Sequence, residues 1–518
     1  MDWTAGYTSD IEYTAGMYKE QSPVHLNLVC ALNGIEAPPL DRPYTYFELG
    51  FGRGLTANVL AASHPNGSFY AADFNPTHVA GARALADAAG LDNLTLLENS
   101  FEELAQGKAG ALPQFDYISL HGIYSWVTAE NRSHIVAFIG RYLKPGGVVY
   151  LSYNAMPGWA AMFPLQRLLV EYADAHPGSS SMQIDGASAF IERMRGANSV
   201  FLNTNPSLAP RLDVLKSGNR QYLVHEYMHK HWQPLYHADV ARDLAQAKLD
   251  FCGSANLPFV FPQLYITPER QALLASVAEP ALRETVTDYL LNTGFRKDVF
   301  VRGARKMNEL RRGEVLGQFS ATLLVPRKDV TLTMTTPLGK LEGKPELYDP
   351  VCDVLADGPQ TLNGLQARLL EHGITGGSML QSLVLLASSE QVAIYPTSHV
   401  NAQGAVANAQ RMNRVLASYV RYSEDYRALV SPLLGNGVQA TVFDRLVYGI
   451  LTEPGMAQPV DVEAVLVKVW QAMSAMGRKM QVKGVTLDSD ADNLAALRPH
   501  VENIVNDKLP LWRQWQML

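Results

Sequence analysis

Cysteine is scarce in this chain of 518 residues, which contains only Cys30, Cys252 and Cys352. The three lie too far apart in sequence for a C-x-x-C ligand pair and are too few for a dense disulfide framework. No uninterrupted apolar run reaches the roughly 18 residues of a membrane-spanning helix, and the N-terminus lacks a basic segment followed by an apolar one. The sequence therefore predicts a cytoplasmic protein with reduced thiols and without a membrane span.

Residues of one charge sign do not predominate in this sequence. The chain has 43 basic and 50 acidic residues, a formal net charge of −7, and its basic residues form no long run. This argues against a nucleic-acid partner, because binding to phosphates depends on clustered Lys and Arg side chains. With 47% hydrophobic and 18% charged residues, the composition is typical of an ordered globular protein, and the length favours several domains.

Short apolar strands alternate with helical segments from residue 44 onwards. The strand candidates are Tyr44–Leu49, 68–72, Leu94–Glu98, Phe115–Leu120 and 148–153. Strand and helix repeated with such short connections predict an α/β fold, with a parallel sheet covered by helices on both faces. Ligands on such sheets bind at the carboxyl ends of the strands.

Two later strands, at 250–255 and 297–303, complete the expected Rossmann-like core of seven strands. Residues 160–236 between the two parts of this core have a helical pattern. We therefore expect a helical insertion within the core, and the alternative is an independent middle domain.

The C-terminal region is expected to be α+β and to contain a winged-helix-like unit. The third helix of that unit, GSMLQSLVLLASS, has no Lys or Arg, which favours protein contacts over DNA binding. The predicted parts of the chain are an N-terminal lid segment (1–41), the first part of the core (42–159), the helical insertion (160–236), the completion of the core (237–303), a β linker (304–344), the winged-helix-like domain (345–398) and a mostly helical region (399–518).

A glycine-rich loop, Glu48-Leu-Gly50-Phe-Gly52-Arg-Gly54, follows the first strand and opens a helix. Glycines at alternate positions let the backbone turn tightly and approach a ligand, since a Cβ would block the approach. A nicotinamide-dinucleotide loop has the spacing G-x-G-x-x-G, so this loop favours the amino-acid end of S-adenosylmethionine. Glu48 would accept a hydrogen bond from the ammonium group of that ligand, directly or through water.

Polar and aromatic residues follow the next two strands. Asp73 ends the second strand, 23 residues after Gly50, where a carboxylate can accept hydrogen bonds from both ribose hydroxyls. Asn99, Ser100 and Phe101 follow the third strand, where a polar group and an aromatic face can hold adenine. Each has a structural alternative, as a loop cap, a turn former or a core residue. Their order along one sheet favours a cofactor site, and the predicted cofactor is S-adenosylmethionine.

Three stretches, 121–127, 144–159 and 225–255, resemble bacterial class I S-adenosylmethionine-dependent methyltransferases that carry a methyltransferase regulatory domain. This family includes the rickettsial-type outer-membrane-protein lysine methyltransferases. The resemblance covers roughly residues 13–398, and it implies lysine methylation of a protein substrate, such as an outer-membrane or surface protein, and a regulatory-domain-like segment at 237–303. A homodimer is a further expectation. The chain departs from the family at Phe51, where Cys is usual, and at 55–57, where Gly-Gly-Asn is usual.

Residues after the fourth and fifth strands are expected to face the transferred methyl group. His121, Tyr124 and Asn154 are the candidates for orienting and deprotonating a substrate amine, and His121 is also a candidate cofactor contact. A lysine ammonium has an unperturbed pKa of about 10.4, so methyl transfer to it needs an apolar pocket and a proton acceptor. The alternatives are that Tyr124 is a core residue beneath a loop and that His121 is a structural histidine.

Further aromatic residues complete the predicted site. Trp126 and Trp159 are candidates for holding methylated ammonium groups through cation–π contacts, and the alternative for Trp126 is a place in the core. Tyr13 and Tyr18 precede the first strand and are expected to pack over the cofactor as a lid. The alternative is a surface helix whose tyrosines enter the core.

The H-E-x-x-H pattern at 225–229 also matches zinc proteases, in which Glu226 would be the base. A helix stop at Trp232-Gln233-Pro234 and the lack of an identified third ligand argue against that interpretation, so no metal site is predicted. Two alternatives to lysine methylation stay open at this point. They are methylation of a small molecule or glycan, and a non-catalytic regulatory or scaffold protein that binds the cofactor.

Overall fold

The computed structural model of the protein describes residues 15–336, 339–398, 404–456 and 459–518. Tyr13 lies outside the described residues, so its place in the lid stays a prediction. Within the described ranges, no helix combines the length and apolar character needed to cross a lipid bilayer.

A seven-stranded sheet forms the centre of the N-terminal half. Its strands are β1 (Tyr44–Leu49), β2 (Gly67–Asp73), β3 (Leu94–Glu98), β4 (Phe115–Leu120), β5 (Leu143–Asn154), β6 (Leu249–Ser254) and β7 (Phe295–Arg302). Their order is β3-β2-β1-β4-β5-β7-β6, with β1 to β5 parallel and β7 antiparallel to both of its neighbours. The sheet confirms the predicted Rossmann-like core, including its two late strands.

Helices pack around this sheet. They are α1 (Pro23–Leu32), α2 (Leu55–Ser63), α3 (Pro76–Ala89), α4 (Phe101–Gln106) and α5 (Ala129–Tyr142). The side chain of Asn75 accepts a hydrogen bond from the Thr77 N–H and caps α3, while Ser100 and Glu103 form a capping box on α4. These caps begin the helices directly after β2 and β3, so the intervening residues lie at the ligand-binding edge of the sheet.

Between β5 and β6 the chain is helical, as the sequence pattern indicates. The helices are α6 (Met162–Ala175), α7 (Ser180–Gly196), α8 (Val200–Thr204), α9 (Ala209–Ser217), α10 (Arg220–Tyr227) and α11 (His237–Ala245). Helices α6 to α10 share an apolar core that includes Trp159, Leu169 and Trp232. Two more helices, α12 (Pro268–Ala275) and α13 (Pro280–Leu291), precede β7.

The C-terminal half contains smaller sheets and helices. Its strands are β8 (Phe319–Leu323), β9 (Thr333–Thr336), β10 (Gly339–Glu342), β11 (Gln360–Thr361), β12 (Val392–Pro396), β13 (Ala428–Ser431), β14 (Asn436–Gln439), β15 (Gln481–Val482) and β16 (Val485–Thr486). Its helices are α14 (Glu309–Leu316), α15 (Pro345–Ala356), α16 (Leu362–Leu369), α17 (Gly376–Ser388), α18 (Ala405–Ser418), α19 (Val442–Leu451), α20 (Val462–Ala475), α21 (Asp490–Asn503) and α22 (Leu509–Gln514).

Strand β8 pairs with β11 and β12, which flank α16 and α17 in the chain. The sequence placed β8 in a separate linker, because pairing between strands about 70 residues apart leaves no local signal. The structure therefore joins β8 to the α15–α17 unit, and the winged-helix-like description of that unit stays a prediction.

The turn between β13 and β14 holds the residues that precede α1. Ser22 Oγ donates a hydrogen bond of 2.8 Å to the Gly435 carbonyl oxygen, and Asn436 Nδ2 donates one of 3.1 Å to the Lys19 carbonyl oxygen. Arg53 of the glycine loop forms an ion pair of 2.5 Å with Asp425. The C-terminal region is thus attached to both the lid segment and the glycine loop.

A buried ion-pair network joins β7 to its neighbours. The Arg296 guanidinium donates hydrogen bonds of 2.8 Å to Asp288 Oδ1 on α13 and 2.9 Å to Asp298 Oδ2 on β7. Tyr153 of β5 donates to the same Asp298 oxygen at 2.7 Å. Burial opposes ionisation of Asp298, yet the Arg296 charge and a hydrogen bond from His237 hold its pKa at about 2. The network therefore fixes β7 against β5, α11 and α13.

Candidate active site

A cavity of about 340 Å³ opens at the carboxyl ends of the parallel strands. One part of its wall is formed by the glycine loop, Asp73, the residues after β3 and those after β4. Another part is formed by the segment before α1, and the rest by side chains of α10 and the residues after it. The predicted cofactor residues that line it are Glu48, Gly50, Gly52, Gly54, Asp73, Asn99, Ser100, Phe101 and His121.

The glycine loop is shaped by left-handed backbone conformations. Gly50 has φ +69° and Gly54 has φ +72°, a region that residues with a Cβ rarely occupy. A Cβ on Gly54 would lie 2.5 Å from Ala82 Cβ on α3. The loop therefore packs so closely on α3 that glycine is required, and it leaves the cavity open beside Gly52.

Glu48 is buried at the bottom of the cavity. One of its oxygens accepts a hydrogen bond of 3.3 Å from Gln21 Nε2, while the other, Oε2, is buried and has no hydrogen-bond partner among the described residues. Burial raises the pKa of Glu48 to about 8, which the Gln21 hydrogen bond partly counters. A buried acceptor with one oxygen still unsatisfied suits a ligand ammonium group.

Asp73 is held in place by the loop around it. Its Oδ2 accepts a hydrogen bond of 2.9 Å from the Gly52 N–H, and its Oδ1 accepts one of 2.9 Å from the Asn75 N–H. A carboxylate offers about four lone-pair sites, so this orientation leaves capacity for ligand hydroxyls. The Phe101 ring lies near the Gly50 backbone on the same wall, where an aromatic face can stack on a base.

We predict that Asp73→Asn weakens binding of S-adenosylmethionine about 5- to 30-fold, because two charge-assisted acceptors become at best neutral ones. Isothermal titration calorimetry measures the dissociation constant. Asp92→Asn, a change at an exposed acidic residue before β3, is the control and should bind like the parent protein. Equal affinity of Asp73→Asn and the control would remove Asp73 from the cofactor site.

His121 lies between the lid segment and β5. Its ring stacks on Tyr18, with centroids 3.7 Å apart, and its Nδ1 lies 2.8 Å from Tyr150 Oη. Burial, assisted by the nearby Lys297 charge, lowers the pKa of His121 to about 3. The imidazole is therefore neutral at physiological pH, so it adds no positive charge beside a sulfonium, and it is a weak proton acceptor.

Part of the predicted lid segment 1–41 lines the cavity. Ala15, Gly16, Tyr18 and Gln21 line the cavity, whereas α1 is an almost fully buried core helix. Gln21 also accepts a hydrogen bond of 2.8 Å from Ser119 Oγ, a contact that sequence reasoning missed. Of the lid residues that the structure describes, those directly before α1 line the cavity, whereas those of α1 do not.

Tyr124 and Asn154, which the sequence predicts to contact the substrate, are not among the residues that line the cavity. Tyr124 is fully buried, and its hydroxyl donates a hydrogen bond of 3.0 Å to Asp243 Oδ2 on α11. Burial and the Asp243 charge raise its pKa well above the usual value. Asn154 ends β5 opposite Phe295 of β7 and is buried there. Neither side chain therefore faces the cavity, and their roles toward a substrate stay predictions.

The two predicted tryptophans lie in different parts of the structure. Trp126 lines the cavity, and its ring lies 6.1 Å from that of Trp232. Trp159 packs in the core of the insertion, where its indole N–H donates a hydrogen bond of 2.6 Å to the Gly294 carbonyl oxygen. The Arg211 guanidinium lies 3.5 Å from the centre of its ring. Trp159 already has a cation on its ring, so only Trp126 is placed to meet a ligand.

Helix α10 and the segment directly after it supply a wall that sequence reasoning did not assign to the site. The residues are Tyr222, His225 and Glu226 of α10 and, after the helix, His229 and His231. Their H-E-x-x-H pattern was considered only as a zinc motif, although it could have indicated polar side chains on one side of a helix. Among the described residues, no three His, Cys, Asp or Glu side chains are grouped so that they could hold a metal ion.

The sheet, the glycine loop and the acid at the end of β2 together define a class I S-adenosylmethionine-dependent methyltransferase. Family models agree, since residues 47–147 match a methyltransferase domain and residues 219–302 match a predicted methyltransferase regulatory domain. The chain belongs to the bacterial family of these enzymes that carries the regulatory domain, and its cofactor is S-adenosylmethionine.

Relatives and solved structures are consistent with this family. The chain is 38% identical to uncharacterized protein sll1526 of Synechocystis sp. over 511 residues, which covers 99% of both chains. It is 22% identical to uncharacterized protein RP789 of Rickettsia prowazekii over 337 residues, 63% of this chain and 59% of that one. The structure of PKMT2 from Rickettsia typhi in complex with AdoHcy superposes with a TM-score of 0.69 at 15% identity, covering 95% of this chain and 99% of PKMT2. That likeness extends the shared fold into the C-terminal half.

Proposed function

We propose that the enzyme is a protein lysine N-methyltransferase. The observation that carries the proposal is the composition of the cavity beyond the cofactor residues, where the aromatic side chain of Trp126 and the carboxyl group of Glu226 line the same space. An alkyl ammonium is favoured by an aromatic face and a carboxylate together, through cation–π attraction and charge-assisted hydrogen bonds. A lysine side chain has this chemistry.

The surface of the insertion supports a polypeptide substrate. Met182 is 69% exposed and Val200 is 76% exposed, and Phe163, 42% exposed, packs on Trp232 behind Trp126. Exposed apolar side chains can contribute to protein contact surfaces. The resemblance of the sequence to rickettsial lysine methyltransferases points the same way. An outer-membrane or surface protein as substrate, residence in the cytoplasm and a homodimer remain predictions from the sequence.

The residues of the chain have separate tasks in this reaction. Bound S-adenosylmethionine supplies a methyl group activated by a positively charged sulfur. Glu48 and Asp73 would hold the two polar ends of the cofactor, and Tyr18 covers the neutral His121 ring. Orientation of the amine and exclusion of water provide much of the rate enhancement for a displacement of this kind.

The test is incubation of the enzyme with bacterial cell-envelope proteins and isotope-labelled S-adenosylmethionine, followed by mass spectrometry of the digested proteins. We expect methyl groups on lysine side chains. A parallel reaction with excess S-adenosylhomocysteine controls for non-enzymatic transfer. Label confined to low-mass or glycan fractions, or to residues other than lysine, would contradict the proposal.

A further inference from the structure

Glu226 lies on the wall of the cavity that the insertion supplies. It is the seventh residue of α10, one helical turn after Tyr222, and both line the cavity together with His225 and His229. The glycine loop lines the same cavity from the sheet side. A carboxyl group carried by the insertion thus shares one space with the cofactor residues of the core.

The pKa of Glu226 is set by burial and by a neighbouring cation. Arg211 of α9 is the cation that acts on it, and the Arg211 guanidinium is stacked on Trp159. Burial lowers the pKa of His229 to about 4, with contributions from the charges of His231 and His225, so the His229 ring is neutral at pH 7. Burial raises the pKa of Glu226 to about 7, against the opposing effect of Arg211. This carboxyl group can therefore gain and lose a proton near neutral pH.

Four other acid–base groups in or near the cavity are less suited to a substrate amine. His121 is stacked beneath Tyr18 and is a weak base, and Tyr124 is outside the lining with its hydroxyl donated to Asp243. Glu48 and Asp73 are engaged at the cofactor end of the cavity by Gln21 and Gly52. A proton acceptor for the amine is thus still needed, and α10 places one at the cavity.

Resting on the proposed function, we propose that Glu226 is the catalytic base that binds the substrate lysine ammonium and removes one proton from it. The N–H bond breaks, the proton forms an O–H bond with a Glu226 carboxylate oxygen, and the electron pair stays on nitrogen. That pair forms the new N–C bond as the C–S bond of the methyl donor breaks and its electrons neutralise the sulfur. Glu226 then returns the proton to water, and the product leaves as a methylated ammonium.

The test is the pH dependence of kcat/KM for Glu226→Gln, measured with the envelope protein that the wild-type enzyme methylates on lysine. For the wild type we expect a rise of about tenfold per pH unit up to about pH 7 and a level region from about pH 8 to 9, because the base form of Glu226 acts on the ammonium. The variant should be about 100-fold slower at pH 7. Its rate should keep rising up to about pH 9, since only amine already deprotonated in solution can react.

Glu171→Gln is the matched control, because Glu171 is an exposed carboxylate of the same insertion, paired with Arg167 on α6. It should keep the wild-type profile. A second measurement does not depend on turnover. The enzyme is saturated with S-adenosylhomocysteine, and binding of butylammonium is measured as a rise in the temperature of its thermal transition. Butylammonium should stabilise the wild type and the control more than sodium does, and this difference should be lost in Glu226→Gln.

The outcomes separate the two proposals. If the wild type methylates no lysine, both the proposed function and the role of Glu226 are wrong. If the wild type methylates lysine but Glu226→Gln shows the same level region above pH 8, only the role of Glu226 is wrong. Unchanged affinity of the variant for S-adenosylhomocysteine excludes misfolding as the cause of a slow rate.

Discussion

Replacement of Glu48 by Gln should weaken S-adenosylmethionine binding about 10- to 150-fold at pH 7 while stabilising the ligand-free enzyme. Glu48 is 3% exposed, and its Oε2 has no hydrogen-bond partner among the described residues. The ligand ammonium would supply that partner and the opposite charge. Gln keeps the shape of the side chain and the contact with Gln21 but cannot pair with a cation.

The pH dependence follows from the raised pKa of Glu48, which burial moves from 4.5 to about 8. The pKa of Glu48 is higher in the folded state than in the unfolded state. The contribution of Glu48 to the free energy of unfolding is therefore complete below about pH 4.5 and is lost as pH rises through about 8. Gln has no such loss. The difference in thermal transition between the ligand-free variant and wild type should therefore grow steadily between those two pH values.

Binding should also release a proton. The ligand ammonium favours the ionised carboxylate, so affinity of the wild type should rise about tenfold between pH 6 and 7, where an α-amino group with a pKa near 8 is still charged. Calorimetry in two buffers with different ionisation enthalpies measures the released proton. Glu48→Gln should release none, whereas Glu98→Gln, at an exposed position on the end of β3, should behave like wild type. If both variants release the same number of protons on binding, the ligand ammonium does not bind at Glu48.

The second large effect is expected at Arg296, in the ion-pair network behind the site. Arg296→Ala should destabilise the enzyme by about 3 to 5 kcal/mol, because it leaves the carboxylates of Asp288 and Asp298 buried without their cation. Both are about 1% exposed. The loss should loosen β7, which pairs with both β5 and β6.

Urea denaturation followed by circular dichroism measures this effect. Arg242→Ala is the control, since the Arg242–Asp239 pair is on the surface with side chains 73% and 50% exposed, and such pairs contribute about 0 to 1 kcal/mol. The two variants are compared by the shift of their first unfolding transition. If the shift in Arg296→Ala is no larger than in Arg242→Ala, the network does not hold the sheet together.

The sequence alone determined the class of fold, the cofactor and the residues that line the cavity from the sheet side. The central strands β1, β4 and β5 were located directly, because strands buried on both faces are nearly continuous apolar runs. The positions of Gly50, Gly54 and Asp73 followed from local geometry, since a strand that turns directly into a helix places its last residues at one edge of the sheet. These features depend on neighbours within a few residues, which a sequence displays.

Only the tertiary structure decided which residues form the opposite side of the cavity. The sequence suggested Tyr124 and Asn154 from their positions after strands, but the direction of a side chain beyond a strand depends on distant partners, as the hydrogen bond from Tyr124 to Asp243 illustrates. The pairing of Gln21 with Glu48 and the approach of α10 to the glycine loop likewise join residues that are far apart in the chain. Such contacts form when separate parts of the chain pack on one another, and no local pattern specifies which of their faces meet.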